Sequence, residues 1–494
     1  VMNMNILDSV IGFFSPETAC RRAVFRESLN DMQRHGYDAG DHRRLNSGWA
    51  ALIESAEMTD RTSRDTIRAR ARDLERNSDM MNGLISAFVR NIVGGGFTLQ
   101  AKTGKEKLNG QIETLWRDWC KAKNCDVTGQ QSFSQMLRMA VRRKKVDGGI
   151  LFKKCYTSGG LVPFKLQALE VDELSLSWST PHGRNHKVAG GIEYNEYNRP
   201  VGYWLTQYSV DGCEIASPVY YDAKDIIFLY SKRRPSQVRE VSDMAPTLTR
   251  IRDANEFITA VSVKERIAAC LSVFIKKALP VSGFGRSGSV APGGTLNYEG
   301  KKLAPGMISE LNAGDDIQVV NPQGAGADAS NFLKMQQRLI GSGQGLSYEA
   351  TSRDMSETNY SSARQAGIED DLTFAEEVEL LQENFMDEVF ESFVISCVLS
   401  GKLKIRDFWE HKSDYLLHTW VASPKRWIDP LKEANANRIA MESGQKTFAQ
   451  IAAENGRDWK GQLDEMAEVQ AYAAEKGVQI GGVINETGKQ PQDT

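Results

Sequence analysis

Five carboxylates lie close together in the segment that begins at Glu369, and such a group could do chemistry. They are Glu369, Asp370, Asp371, Glu376 and Glu377. Paired carboxylates can exchange protons or hold a divalent cation, and a metal-dependent nuclease is the enzyme class that the cluster would suit. However, charged residues beside the apolar stripe of an amphipathic helix are ordinary, so the pattern favours a solvated helix face.

Glycine-rich and cysteine-containing motifs give no stronger signal. Residues 283–288 satisfy the G-x-G-x-x-G pattern of dinucleotide-binding proteins, but they lie in a Ser/Gly/Pro-rich stretch without a preceding strand and a following helix, which favours a flexible loop. Cys120 and Cys125 have no second pair and no histidines nearby, so two ordinary thiols are favoured over a zinc site. The sequence contains no P-loop motif and no G-x-S-x-G nucleophile motif.

The six histidines are spread over the whole chain, and none lies in an H-E-x-x-H motif. His182 and His186 are four positions apart, but Gly183 and Asn185 between them argue against a helix that would align the two rings. Solvated loop histidines are therefore favoured over a metal site. Together these observations predict no catalytic residue, no metal and no cofactor, and they predict that the protein is not an enzyme.

The bulk properties are those of a large globular protein without a strong charge bias. Its 494 residues are too many for one ordinary core, so two or more packed regions are expected. The 61 basic and 64 acidic residues give a net charge of -3, so any contact with DNA has to be local or weak.

No run of 18 or more apolar residues occurs, residues 1–16 lack the features of a secretory signal, and the seven cysteines are scattered singly. We therefore expect no membrane span, assembly in a cytoplasm, and reduced thiols.

Helical and strand-like patterns divide the first half of the chain. After a polar, irregular start, an arginine-rich helix is predicted at 61–93, and two further helices follow, one through Trp116 and one at 132–146. Short apolar runs separated by turn signals then predict an antiparallel sheet between residues 150 and 230.

Three long helices are predicted in the second half, at about 244–277, 328–340 and 361–399. Strand-like runs lie between the first two, at 306–311 and 317–320, and a polar loop (346–357) precedes the third. Along the third helix, apolar residues recur every three or four positions and predict one continuous apolar stripe. They are Leu372, Ala375, Val378, Leu381, Phe385, Val389 and Phe393.

Five segments resemble sequence signatures of lambda-family portal proteins of tailed bacteriophages, and they occur in that family's order. They are residues 70–78 with 91–97, residues 234–242, residues 346–364 (with LSYE and NYSSAR), residues 427–433, and residues 447–458. In the second segment, Glu240 stands where the family's R-P-x-Q-x-R-G-x-S element has glycine. Each match is weak by itself, but five matches in the right order are specific.

The resemblance implies an α+β portal-type fold, with an antiparallel β/α wing, a two-helix stem, a small α/β clip, a long helix that crosses the wing, and a helical C-terminal crown. Mapped by order, the regions are an N-terminal arm (1–60), the wing (61–243), stem helix 1 (244–277), the clip (278–327), stem helix 2 (328–343), a tunnel loop (344–360), the long wing helix (361–400), the crown and wing region (401–480) and a disordered tail (481–494).

The resemblance also implies a function and partners. Twelve copies would form a ring at the unique capsid vertex of the virion, as the channel for packaging and ejection of double-stranded DNA. The ring would dock the terminase large subunit and then the head-tail adaptor protein, and it would contact the major capsid and scaffold proteins. The tunnel loop would line the narrowest part of the channel with Ser347, Tyr348, Glu349, Arg353, Asp354, Glu357, Asn359 and Arg364.

Two hypotheses about charge follow. A channel through which DNA slides has to avoid strong phosphate binding, because each neutralised phosphate adds affinity through counterion release. We therefore expect Arg353 and Arg364 to approach DNA while nearby carboxylates prevent sticking. For the basic runs 142–145 and 232–234, a solvated or subunit-bridging surface is favoured over a DNA contact. A non-catalytic multidomain interaction or scaffold protein is the alternative to the portal function.

Overall fold

The computed structural model describes residues 53–270, 273–275, 308–310, 326–423 and 430–478, together with residue 51 and part of 11–25. The chain divides into two units, Val1–Ser55 and Ala56–Thr494. In the first unit, the described residues include helical stretches between 11 and 25, where Phe13 and Phe14 are exposed. The G-x-G-x-x-G motif, the strand-like run at 317–320, most of the predicted clip and the predicted disordered tail lie outside the described residues.

The second unit begins with a helical region. Its elements are α1 (Ala56–Arg61), α2 (Arg64–Asn77), α3 (Asp79–Ile92), β1 (Phe97–Ala101), α4 (Glu106–Trp119), α5 (Ala122–Cys125) and α6 (Phe133–Asp147). The single helix predicted at 61–93 is wrong, because Ser78 has extended backbone and its hydroxyl caps α3 by accepting the N–H of Met81. The predicted helix at 132–146 is confirmed as α6, whose first turn is closed by a capping box between Ser132 and Gln135.

The middle of the chain forms antiparallel sheets, as the alternation of apolar runs and turns predicted. In a three-stranded sheet, β2 (Gly149–Tyr156) lies between β3 (Phe164–Leu169) and β8 (Ile226–Tyr230). A four-stranded sheet contains, in spatial order, β4 (Lys187–Ala189), β5 (Ile192–Tyr194), β6 (Pro200–Tyr208) and β7 (Glu214–Asp222). Neighbouring strands of this second sheet are also neighbours in sequence, so each pair is a local hairpin.

Long helices dominate the next region. In order, its elements are α7 (Leu248–Cys270), β9 (Val273–Ile275), β10 (Ile308–Glu310), α8 (Gly326–Gly343), α9 (Tyr348–Ser352), α10 (Tyr360–Leu381), a π-helical turn (Gln382–Met386) and α11 (Asp387–Leu399). The helix predicted at 244–277 is too long, since α7 starts at Leu248 and residues 273–275 pair as a parallel strand with β10. The sequence of β9, Val-Phe-Ile, consists of residues that prefer strands.

The apolar stripe predicted along the third long helix is divided between two faces. Leu381 is buried and points to the core, whereas Leu372 is 62% exposed. These two leucines are nine residues apart, which is two and a half helical turns, so they lie on opposite sides of α10. The prediction of one continuous stripe is therefore wrong. The buried half continues through the π-helical turn into α11, with Phe385, Val389 and Phe393.

The last part of the chain returns to the start of the second unit. Its elements are α12 (Lys412–Tyr415), β11 (His418–Ala422), α13 (Pro430–Glu442), α14 (Phe448–Glu454) and α15 (Trp459–Lys476). Strand β11 pairs with β1 in an antiparallel register that places Leu99 opposite Trp420. Three of these elements, α13, α14 and α15, make residues 430–476 mainly helical. The strand pair was not predicted, because its two halves are more than 300 residues apart.

Two hydrophobic clusters fill the second unit, in agreement with the predicted two or more packed regions. In the larger cluster, Trp116 and Trp119 stack at 5.0 Å and Trp119 also stacks on Phe164 at 5.4 Å. The Nε1–H of Trp119 donates to the Phe164 carbonyl at 2.9 Å, so this buried ring has its polar atom satisfied. The smaller cluster includes Tyr203 and lies between the two sheets. Among the described residues, none of the helices combines the length and apolarity that a bilayer crossing requires.

A buried ionic cluster joins α2 to the segment before α7. The Nε and Nη2 atoms of Arg239 donate to the two carboxylate oxygens of Glu240 at 2.7 and 2.9 Å, and Arg68 donates to the same carboxylate at 2.9 Å. Arg64 donates to the Glu240 carbonyl at 3.1 Å. The backbone of Glu240 is not left-handed, so this position does not require the glycine that the family pattern carries.

We predict that Glu240→Ala lowers the free energy of unfolding by about 3–5 kcal/mol, because it leaves the buried charge of Arg239 without its carboxylate and removes one of the three carboxylates that pair with Arg68. The measurement is urea unfolding followed by tryptophan fluorescence. Glu196→Ala, at an exposed position in the turn between β5 and β6, is the matched control and should change little. A loss as small as that of the control would contradict the structural role of Glu240.

Candidate functional site

The residues predicted for the tunnel loop, 344–360, lie between α8 and α10. We call this segment the connection, and it has an ordered path. The polar loop predicted at 346–357 contains a short helix, α9, whose N-cap Ser347 accepts the N–H of Ala350 at 3.1 Å. Arg353 ends this helix in the left-handed conformation, with φ of 59°. Asn359 caps α10 by accepting the N–H of Ser362 at 2.9 Å. Caps at both helices therefore fix the path of the connection.

The start of the connection is pinned to α10 by a buried carboxylate. Asp370, which is 7% exposed, accepts the N–H of Ser347 at 2.6 Å and its hydroxyl at 2.7 Å. One turn further along α10, the Thr373 hydroxyl donates to the Gly345 carbonyl at 2.7 Å. Gly345 has φ of +69°, and a Cβ there would lie 2.9 Å from the Thr373 hydroxyl, so glycine is required.

A second set of contacts pins the base of the connection to the start of α7. The side-chain amide of Gln344 donates to the Asp243 carbonyl at 3.1 Å and to the Thr247 hydroxyl at 3.2 Å. The carboxylate of Asp243 in turn accepts from Lys144 of α6 at 2.9 Å and from Arg233 at 2.9 Å. The ends of both long helices, α7 and α8, therefore meet at Asp243.

Two buried lysines connect this point to α10. Glu377 of α10 accepts from Lys144 at 2.7 Å and from Lys145 at 2.6 Å, and Lys145 also lies 3.2 Å from Asp243. Lys144 and Lys145 are 2% and 5% exposed, so the solvated or subunit-bridging surface predicted for residues 142–145 is wrong for them. Arg142 and Arg143, the other half of that run, both pair with Glu75 within the same chain.

The electrostatics of this cluster follow from mutual neutralisation. Burial by itself would raise the pKa of Asp243, but Lys144 and Lys145 hold that pKa below its ordinary value. Burial by itself would lower the pKa of Lys144, but Asp243 and Glu377 raise it above its ordinary value. Asp243 and Lys144 are therefore charged at neutral pH, and each depends on its partners to remain so.

The carboxylates of the connection accept hydrogen bonds from the connection itself and from α8. Asp354 accepts from the Tyr348 hydroxyl at 3.1 Å and from the Ser356 hydroxyl at 2.6 Å. Glu357 accepts from Lys334 of α8 at 2.7 Å, and this hydrogen bond lowers the pKa of Glu357. Glu349 accepts a long hydrogen bond from the Thr358 hydroxyl at 3.4 Å. The acidic side chains therefore stabilise the shape of the connection.

The two arginines of the predicted site differ from its carboxylates. Arg353 and Arg364 are exposed, and within the described part of the chain neither has a carboxylate at ion-pair distance. Arg364 donates to the Tyr360 hydroxyl at 3.4 Å. Arg353 lies near a second arginine, since burial and the charge of Arg353 together lower the pKa of Arg90. The connection thus presents positive charge that its own carboxylates do not neutralise.

The residues considered for metal or acid-base chemistry do not converge. Among the described residues, no three His, Cys, Asp or Glu side chains are grouped to hold a metal ion. Asp370 bonds to Ser347 at the start of the connection, and Glu377 pairs with Lys144 and Lys145. The solvated helix face predicted for the acidic cluster is therefore wrong for these two carboxylates. Burial raises the pKa of the Cys125 thiol to about 12, which disfavours the thiolate that zinc requires.

The pair His182 and His186 lies in a loop, as predicted, but it is not simply solvated. Nδ1 of His186 lies 2.7 Å from the buried carboxylate of Glu193, which also accepts the backbone N–H groups of His182 and Gly183 at 2.8 Å. The ring of His182 stacks on Tyr220 at 4.4 Å. The two histidines therefore help to order their loop against the four-stranded sheet.

Sequence reasoning missed the side chains that hold the connection in place. These are Gln344 and Thr373, which bond the backbone of distant segments, and Asp243 and Lys334, which pair with charges on other elements. The one local signal was the Asn359 and Ser362 spacing of a helix N-terminus.

With this geometry established, comparison with known proteins identifies the class. The chain matches the model of a family described as phage portal protein, lambda family, over residues 42–377. A probable portal protein of Halomonas phage phiHAP-1 is 23% identical over 431 residues, which cover 84% of this chain and 82% of that protein. The portal protein of Escherichia phage N15 and portal protein B of Escherichia phage lambda are each 21% identical, covering 86% of this chain and 87% of each relative.

Two of these relatives are named portal protein, and the third is named probable portal protein. Because the family model matches more than half of the chain, the chain belongs to the lambda family of phage portal proteins. The family predicted from five sequence segments is therefore confirmed.

Solved structures of gene transfer agent (GTA) particles are also similar. The neck of an empty GTA particle, computed with C6 symmetry, has 12% identity and a TM-score of 0.43, covering 84% of this chain and 97% of that one. The neck of a native GTA particle, computed with C12 symmetry, has 13% identity and a TM-score of 0.32, with 76% and 93% coverage.

We predict that Asp370→Asn loosens the start of the connection. Hydrogen bonds to a charged group contribute about 1.5–3 kcal/mol, so the amide of Ser347 should exchange its hydrogen roughly 10- to 100-fold faster. Hydrogen exchange with mass spectrometry measures this rate. Glu369→Gln, at the exposed neighbouring position, is the control, and equal protection in both variants would contradict the role of Asp370.

A pH prediction follows from Asp243, whose pKa is lowered in the folded state. Its carboxylate contributes stability that is present above the unfolded-state pKa of about 3.9 and is lost as the pH falls through the lower folded-state pKa. Asp243→Asn should therefore be less stable than the parent protein near neutral pH and should lose less further stability below about pH 4. Urea midpoints measured from pH 3 to 7 test this, and parallel curves for the two proteins would refute it.

Proposed function

We propose that this chain forms a dodecameric ring at the unique capsid vertex, and that the ring is the channel for packaging and ejection of the phage genome. Membership of the portal family supports the proposal. The observation that carries it is the connection at 344–360, which is fixed to α7 through Gln344 and to α10 through Asp370. A loop that touches moving DNA has to keep its position under load, and these two anchors give it that property.

In this proposal, α7 and α8 are the stem. They pack together through the rings of Phe257 and Phe332, whose centroids are 4.6 Å apart, and Arg250 donates to Gln336 at 3.0 Å. The sheets and α10 belong to the wing, and the helices after residue 401 belong to the crown. Residues 278–327 are the clip; of the parallel strand pair, β9 lies just before this segment and β10 lies within it.

The charges of the connection suit a channel that contacts DNA without holding it. Arg353 and Arg364 are available for phosphates, while Asp354 and Glu357 keep negative charge close by. Because phosphate affinity rises with each released counterion, two arginines per subunit give local attraction that the carboxylates limit. In the assembled channel, the loop presents Arg353 and Arg364, and its shape depends on Ser347, Tyr348, Glu349 and Asn359.

Partners follow from the same assignment. The clip docks the terminase large subunit during packaging and the head-tail adaptor protein afterwards, and the outer wing meets the major capsid and scaffold proteins. The ring is assembled in the host cytoplasm and stays in the virion. We propose a structural role and no catalysis. A metal-dependent nuclease would use Glu369, Asp370 and Asp371, and Asp370 is already bonded to the backbone and hydroxyl of Ser347.

If the chain forms the proposed ring, the purified protein should form a closed assembly. Negative-stain class averages viewed down the axis should show rings with a central hole, and native mass spectrometry should give their stoichiometry. A protein that stays monomeric at high concentration under all assembly conditions would overturn the proposal and favour a non-catalytic scaffold protein instead.

If Arg353 and Arg364 contact DNA, reversing their charge should reduce DNA packaging. A variant with Arg353→Glu and Arg364→Glu should still form rings but should package and retain less DNA, since the loop then repels phosphates. DNase-protected DNA in an in vitro packaging reaction gives the readout. The double variant Arg184→Glu with Arg199→Glu, at two exposed positions outside the connection, changes the net charge by the same amount and is the control. Unchanged packaging in the double variant would refute the contact.

A further inference from the structure

The outer face of α10 has the composition of a covered surface although the described chain does not cover it. We define this face by Ile368, Leu372, Ala375 and Glu379, which fall on one side of the helix at spacings of four, three and four residues. Ile368 is 49% exposed and Leu372 is 62% exposed. Opposite to them lie Phe374 and Leu381, which pack into the core. Thus α10 is apolar on two faces, and its own chain uses one.

The first half of α10 has an additional need for support. From Tyr360 to Glu369, none of its residues is buried, so nearly three helical turns extend without a packed face. Capping by Asn359 favours the helix, but isolated helices of this length are marginal in water and gain most of their stability from packing. An exposed apolar patch on such a helix is typical of an interaction site.

Charge indicates what the partner surface is like. Between Arg364 and Lys402 the chain has no Lys, Arg or His. The exposed carboxylates of α10 are those of Glu369, Glu376 and Glu379, since Asp370 and Glu377 are bonded within the chain. Glu376 and Glu379 are exposed, and no basic side chain in the described part of the chain pairs with them. A surface that covers this face therefore has to be basic as well as partly apolar.

The same chain carries such a surface. Several arginines and lysines of residues 61–145 are buried or paired within the chain, but other basic side chains there are exposed without a carboxylate at ion-pair distance among the described residues. They include Arg61, Arg70, Lys102, Lys107, Arg117 and Lys123. In a closed ring, each contact is heterologous and joins two different surfaces of neighbouring copies. An acidic, apolar face and a basic helical segment on one chain are the two halves of a contact of this kind.

We propose that the outer face of α10 is covered by the helical segment 61–145 of the neighbouring copy. This inference rests on the proposed ring and names the surfaces that close it. It assigns Ile368 and Leu372 to the subunit interface and gives the acidic side of α10 a role in choosing the neighbour. Apolar burial supplies the adhesion, and charge complementarity sets the orientation.

The first test is Leu372→Lys in the full-length protein, which places a positive charge against a basic partner and removes apolar contact. We expect at least a tenfold higher protein concentration for half-maximal ring assembly in mass photometry, with unchanged circular dichroism and thermal midpoint of the unassembled chain. Leu399→Lys is the control, because Leu399 is 71% exposed and lies at the end of α11, away from the outer face. Assembly of Leu372→Lys at the wild-type concentration overturns the inference.

The second test identifies the occupant directly. A photoreactive phenylalanine analogue at position 372 should give cross-links between two chains, with the partner peptides in residues 61–145. Cross-links to residues 1–55 of the same chain, or to any other segment of a neighbour, overturn the inference while the ring stands. Absence of any ring from the wild-type protein overturns the proposed function itself, so the two failures are distinguishable.

Discussion

Two lysine side chains that are withdrawn from water determine how the central part of this protein is arranged. Lys144 and Lys145 cannot remain charged in the interior unless carboxylates reach them, and Asp243 and Glu377 are those carboxylates. Helix α6, the segment before α7, and helix α10 therefore have to meet at one point. A shift of any of these three elements leaves a charge buried without a partner.

The connection between α8 and α10 depends on that meeting point. Asp370, Thr373 and Glu377 are spaced by three and four residues, so they lie on one face of α10. The first two hold the connection through Ser347 and Gly345, and the third binds the lysines. One face of α10 thus fixes the position of the connection and also binds the two lysines of α6. The tip that carries Arg353 stays exposed, which suits the channel role that we propose for this connection.

Buried polar groups also organise the wing region. Arg239 bonds the Gly190 carbonyl and the Val171 carbonyl in addition to Glu240, so it links both sheets to α2. Glu193 collects four donors around a single carboxylate and holds the loop at 175–186 against the four-stranded sheet. These contacts specify positions that apolar packing alone would leave adjustable, because a hydrogen-bonded carboxylate accepts few geometries.

The sequence by itself determined the family, the mixed helical and antiparallel architecture, and most of the helices. Those features follow from local periodicity, turn residues and caps such as Ser132 and Asn359, which act within a few residues. It also located the connection at 344–360. Tertiary structure alone decided which charges are buried, as at Lys144, and which strand pairs with β11. It also divided the apolar residues of α10 between core and surface. These outcomes depend on contacts between segments up to several hundred residues apart, and the pattern of a single segment contains no record of its distant partners.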